Sequence, residues 1–155
     1  MNYGNLSEII GAIAVVASVI YLALQIKKQT EEARLEASRD IASDFIDTLR
    51  AVSENPELSR ILPKGVADYD QLEGDERIRV NYYFASIFRI AEQQFLHTSH
   101  GTLDSIYFES FVLAVRGLLA NRGPRQWWEH NQHIFSPSFG EFVAQTITEA
   151  GSVEV

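Results

Sequence analysis

The sequence predicts an all-α protein: a long N-terminal helix, transmembrane and then stalk, that continues into a small cytoplasmic helical bundle. Three observations predict it. Residues Ile9 to Ile26 carry no formal charge and are followed at once by Lys27-Lys28. No Gly or Pro interrupts the chain between Ala12 and Asn55. Further along, apolar residues recur at three- and four-residue spacing between Gly and Pro breaks, and no stretch shows the strict alternation of a strand. The expected organisation is an anchor over 1–27, a helical stalk over 28–40, a bundle over 41–150 and a frayed tail over 151–155.

At about 1.5 Å per residue, Ile9–Ile26 spans roughly 27 Å against about 30 Å of hydrocarbon, and Leu6 extends it with Glu8 at the lipid boundary. Its Ile, Val and Leu residues contribute roughly −4 kcal/mol to insertion, reduced by Gly11, Ser18 and Gln25. The alternative is a soluble helical protein with a buried first helix. Such a helix usually keeps a polar stripe, and this run is apolar nearly all round. A cleaved signal peptide fits less well, because Met1–Glu8 holds no basic residue and no small-x-small site precedes Lys27. Lys27, Lys28, Arg34 and Arg39 all follow the run. The positive-inside rule then puts the N-terminus outside and the C-terminal domain in the cytoplasm, in a single pass of the inner membrane. Ser7, Gly11, Ala14 and Ser18 recur every three or four residues. They form a candidate interface for a homo-oligomer or a membrane-complex partner, since small residues let helices approach closely in lipid. Chance recurrence is the alternative.

The chain of 155 residues has 13 Lys and Arg against 21 Asp and Glu, a formal net charge of −8. Nucleic-acid binding is excluded on that balance, because phosphate contacts need a basic face. The absence of Cys agrees with a compartment that is not oxidising.

After the anchor, residues 27–40 are polar nearly all round, with i,i+4 pairs Lys27/Glu31 and Lys28/Glu32. From Ile41 a stripe of Ile41, Phe45, Leu49 and Val52, beside Ala42 and Ile46, predicts a buried face. Asn55-Pro56 closes this helix, and Asn55 caps a short one over Pro56–Leu62. Pro63 to Gly74 reads as a connection. The next helix runs from about Asp75 to His97, with Val80, Phe84, Ile87, Ala91 and Phe95 inward, and His100-Gly101 stops it. Another covers about Leu103 to Asn121, with Tyr107, Phe111, Val115, Leu118 and Leu119 inward. A short helix from Pro124 to about Asn131 follows the Gly123-Pro124 break. Ser136-Pro137 starts the last helix, which carries Phe139, Phe142, Val143 and Ile147.

The most distinctive stretch is Gly123-Pro124-Arg125-Gln126-Trp127-Trp128-Glu129, followed by Phe135-Ser136-Pro137-Ser138-Phe139. Together with the N-terminal run it resembles a broad group of small bacterial single-anchor membrane proteins of unknown function. The likeness covers both ends and supports the anchor; it implies no activity. Arg125, Trp127, Trp128, Phe135 and Phe139 are a candidate docking surface, since Trp and Arg are typical interface anchors. The competing reading has Trp127, Phe135 and Phe139 clamping the last short helices onto the bundle, with Arg125 over the Trp128 ring.

The histidines fall in two pairs of equal spacing, His97/His100 and His130/His133. Positions i and i+3 share a helix face, a usable metal-ligand spacing. The alternative is that they lie at helix C-termini, where the helix dipole favours them. No nucleophile elbow, phosphate loop or dinucleotide fingerprint occurs, and no cofactor is expected. Glu92 and Glu109 lie among aromatic residues and are expected to pair with Arg89 or Arg116. The leading expectation is a non-enzymatic, membrane-anchored assembly protein or accessory subunit that acts through protein contacts. A metal-binding enzyme or sensor built on the histidine pairs is the second.

Overall fold

The fold is described from a computed structural model covering residues 3–101 and 105–151, with side chains described for 8–101 and 109–149. Its helices are α1 (Tyr3–Glu54), α2 (Pro56–Ala67), α3 (Gly74–Ser99), α4 (Ser105–Leu119), α5 (Arg122–Asn131) and α6 (Pro137–Gly151). Tyr69–Gln71 and Gln132–Ile134 form 3₁₀ turns. There is no strand among the described residues, so the class is all-α. The tail expected to fray lies, from residue 152 on, outside the described residues.

The chain divides into two compact units, Met1–Glu36 and Ala37–Val155. The first holds the N-terminal part of α1, and the rest of that helix belongs to the second. Here Ser18 Oγ donates to the Ala14 carbonyl at 2.8 Å and Thr30 Oγ1 to that of Ile26 at 2.9 Å. Such back-bonding satisfies the hydroxyl within its own helix. Lys28 pairs with Glu32 at 3.6 Å.

In the second unit the breaks set the helices. Asn55 ends α1 and caps α2, its side-chain oxygen accepting from the N–H groups of Glu57 and Leu58 at 3.1 and 3.0 Å. The helix then continues past Pro63, where a connection was expected, as far as Ala67. Pro63 is exposed and close to the C-terminal end, while Leu58, Ile61 and Gly65 hold the buried face. Burial of that face outweighs the one backbone bond that Pro forfeits. At the far end of α3, Gly101 takes φ +69, a left-handed conformation that glycine adopts without penalty, and its N–H bonds the Thr98 carbonyl at 2.9 Å.

The core joins α2 to α6. Ile61, Val80, Phe84, Phe88, Leu119, Trp127, Phe139 and Val143 are all fully buried. Burying a side chain of this size contributes about 1.5–3 kcal/mol. Of the stripes expected inward, Val80, Phe84, Ala91, Phe111, Val115, Leu119, Phe139 and Val143 are buried, and Ile87, Phe95, Leu118, Phe142 and Ile147 are half-buried. Tyr107 lies outside the described side chains. α2 and α5 meet backbone to backbone: a Cβ on Gly123 would stand 1.8 Å from the Gly65 carbonyl oxygen. Ion pairs at the surface link α2 to α3, with Glu76 bridging Arg60 at 3.2 Å and Lys64 at 3.3 Å, and Arg79 reaching Glu57 at 3.1 Å.

One expected core face is not buried. Ile41 is 6% exposed, but Phe45, Ile46 and Leu49 are 45%, 53% and 48% exposed. The periodicity correctly gave an apolar face on α1. The second unit covers only the edge of it that carries Ile41 and Val52.

Candidate functional site

The candidate features are the apolar run of α1, the aromatic C-terminal segment, the histidines and the uncovered face after Ile41. Every residue from Ile9 to Ile26 is exposed, and this helix is long and apolar enough to cross a membrane by length and composition. A core helix of a soluble protein would be mostly buried; none of this stretch is. Gly11, Ala14 and Ser18 are exposed on the same helix, while the Ser7 side chain lies outside the described residues.

The aromatic segment is core. Trp127 and Phe139 are fully buried, Trp128 is 3% exposed and Phe135 9% exposed. As a docking surface these residues are excluded by their own burial. Trp127 stacks on Phe88 with ring centroids 5.0 Å apart, and Trp128 meets Phe139 edge-on at 5.6 Å. Adjacent residues on a helix point about 100° apart, so α5 sends one indole towards α3 and the other towards α6. Arg125 is half-buried. Arginine–ring contacts form instead between Arg77 and Tyr69 and between Arg89 and Phe135, each with the guanidinium carbon 4.7 Å from the centroid.

A buried carboxylate organises the entry to α6. Glu92 Oε1 accepts the Ser136 N–H at 2.7 Å, and Oε2 takes a short charged contact from Arg89. Burial alone would raise the Glu92 pKa; the Ser136 N–H and the Arg89 guanidinium outweigh it and hold the carboxyl below its ordinary value. This is the Arg89 pairing expected for Glu92. Glu109 is exposed, and Arg116 pairs with Glu149 instead.

The histidines do not converge. His97 is half-buried near the end of α3, and His100 and His133 are exposed. His130 Nε2 lies 2.9 Å from Asp70 Oδ1, a contact that Arg77 shares at 3.8 Å. Among the described residues no group of three or more His, Cys, Asp or Glu could hold a metal ion. The four-histidine centre is thus not assembled: spacing put each pair on one face but could not bring the two helix ends together.

Comparison with family models, curated proteins and solved structures gives no match. The chemistry of the chain therefore rests on its own surfaces. A groove of about 420 Å³ lies between α1 and α3, lined by residues that include Asp44, Thr48, Tyr82, Ser86 and Arg89. It is open and charged on both walls. Beside it runs the uncovered apolar face of α1, which the sequence had placed in the core.

Proposed function

We propose that this chain is a single-pass protein of the bacterial inner membrane, with its N-terminus outside and its helical bundle in the cytoplasm. It acts without catalysis, as an assembly protein or accessory subunit of a membrane complex. One observation carries the reading: an uncharged helical run, exposed from Ile9 to Ile26, is followed directly by Lys27-Lys28. Exposed apolar side chains of that length are costly in water and favourable in lipid, and the basic pair on its C-terminal side supports this direction by the positive-inside rule.

The absence of Cys makes orientation directly measurable. With Asn2→Cys, a membrane-impermeant thiol reagent should label right-side-out vesicles. With Ser138→Cys, an exposed position on α6, it should label only after permeabilisation. Labelling of Ser138→Cys in sealed vesicles would contradict the orientation.

A further inference from the structure

Residues Ala42, Phe45, Ile46 and Leu49 form an uncharged strip along α1 within the second unit, and all four are exposed. At about 3.6 residues per turn they share one side of the helix. Asp40, Asp44 and Asp47 project from the other side, and Ile41 and Val52 lie between, turned to the bundle. A strip of this composition, 45% to 53% exposed at its three large residues, is unfavourable in water unless something covers it.

We infer that the cover is the same strip of a second copy, packed parallel across a two-fold axis in the same membrane. Two properties select this occupant. First, a two-fold interface sets each residue near its own counterpart, which a strip bearing charge would resist. Here the strip is free of charge and its acidic neighbours point away, so self-pairing brings apolar side chains together without opposing carboxylates. Secondly, the strip is small. Its large residues expose on the order of 300 Å², against about 800 Å² per partner in a stable soluble interface. An area of that size is too little to capture a partner from solution. It suffices for copies that an anchor already confines to one bilayer, because tethering raises the effective concentration without any new contact. The inference rests on the membrane reading above.

The natural chain offers no thiol, so a single introduced Cys reports its own neighbour. Ile46→Cys, Leu49→Cys and Asp47→Cys are each made in the full chain, all at exposed positions where folding is undisturbed. Isolated membranes are oxidised mildly, and both pellet and supernatant are examined for a disulfide-linked band of twice the chain mass. The expected result is such a dimer in the pellet for Ile46→Cys and Leu49→Cys, at about tenfold the yield of Asp47→Cys. Protein in the pellet with no dimer, with equal yields at all three positions, or with a band of another mass overturns the second copy and leaves the anchor standing. Protein in the supernatant overturns the anchor, and the inference with it.

Discussion

The indole N–H of Trp127, at zero exposure, donates to Asn81 Oδ1 at 2.9 Å and thereby ties α5 to α3. The same oxygen accepts from the Tyr69 hydroxyl at 3.4 Å. One side-chain carbonyl thus serves donors on two other elements, and it is the polar register mark of a core otherwise built from rings.

Removing that acceptor leaves a buried donor without a partner. Asn81→Leu should destabilise the bundle by about 1–3 kcal/mol. Urea unfolding of the full chain in detergent, followed by Trp fluorescence, reads the change. A shift below about 0.5 kcal/mol would mean that the bond contributes little beyond its surroundings.

Glycines give a sharper contrast. Gly123→Ala would drive its Cβ into the Gly65 carbonyl, a backbone atom that cannot step aside, at 1.8 Å. The α2–α5 crossing must then open, and the bundle should lose several kcal/mol or fail to fold. Gly117→Ala on α4 meets nothing within 4 Å. There the gain in helix propensity should stabilise by about 0.4–1 kcal/mol. Thermal unfolding of the two variants should move in opposite directions.

Glu92 makes stability depend on pH. Its folded pKa lies below the ordinary value of 4.5. Its contribution is therefore complete above that value and is lost as pH falls through the folded pKa. Glu92→Gln should destabilise at pH 7 and differ progressively less from the parent below about pH 4.5. Unfolding midpoints of both chains across pH 3 to 7 check this, and a constant difference throughout would contradict it.

The elements were legible where a single residue decides them. Asn55 has the cap chemistry, Gly101 the left-handed turn, and Pro56 and Pro137 the starts. The run past Pro63 was not legible, because whether a proline ends a helix depends on how firmly the helix face on either side of it is held, here by Ile61 before it and Gly65 after it. Both indoles are buried because α5 lies between two layers, which no local spacing reveals. The face of Phe45, Ile46 and Leu49 was misassigned to the core for a related reason: a 3.6-residue period marks an apolar face, not what covers it. Contacts such as Glu92 to Ser136 and His130 to Asp70 join residues far apart in the chain and leave no mark in either segment.

In the proposed function, Ile9–Ile26 holds the protein in a bilayer. Alkaline carbonate washing of membranes from cells that make the full chain tests it directly, since the wash strips surface-bound proteins and leaves spanning ones. The chain should stay in the pellet, and replacing Val15, Val16 and Val19 together by Asp should release it. Release of the unaltered chain into the supernatant would mean that Ile9–Ile26 does not span the bilayer.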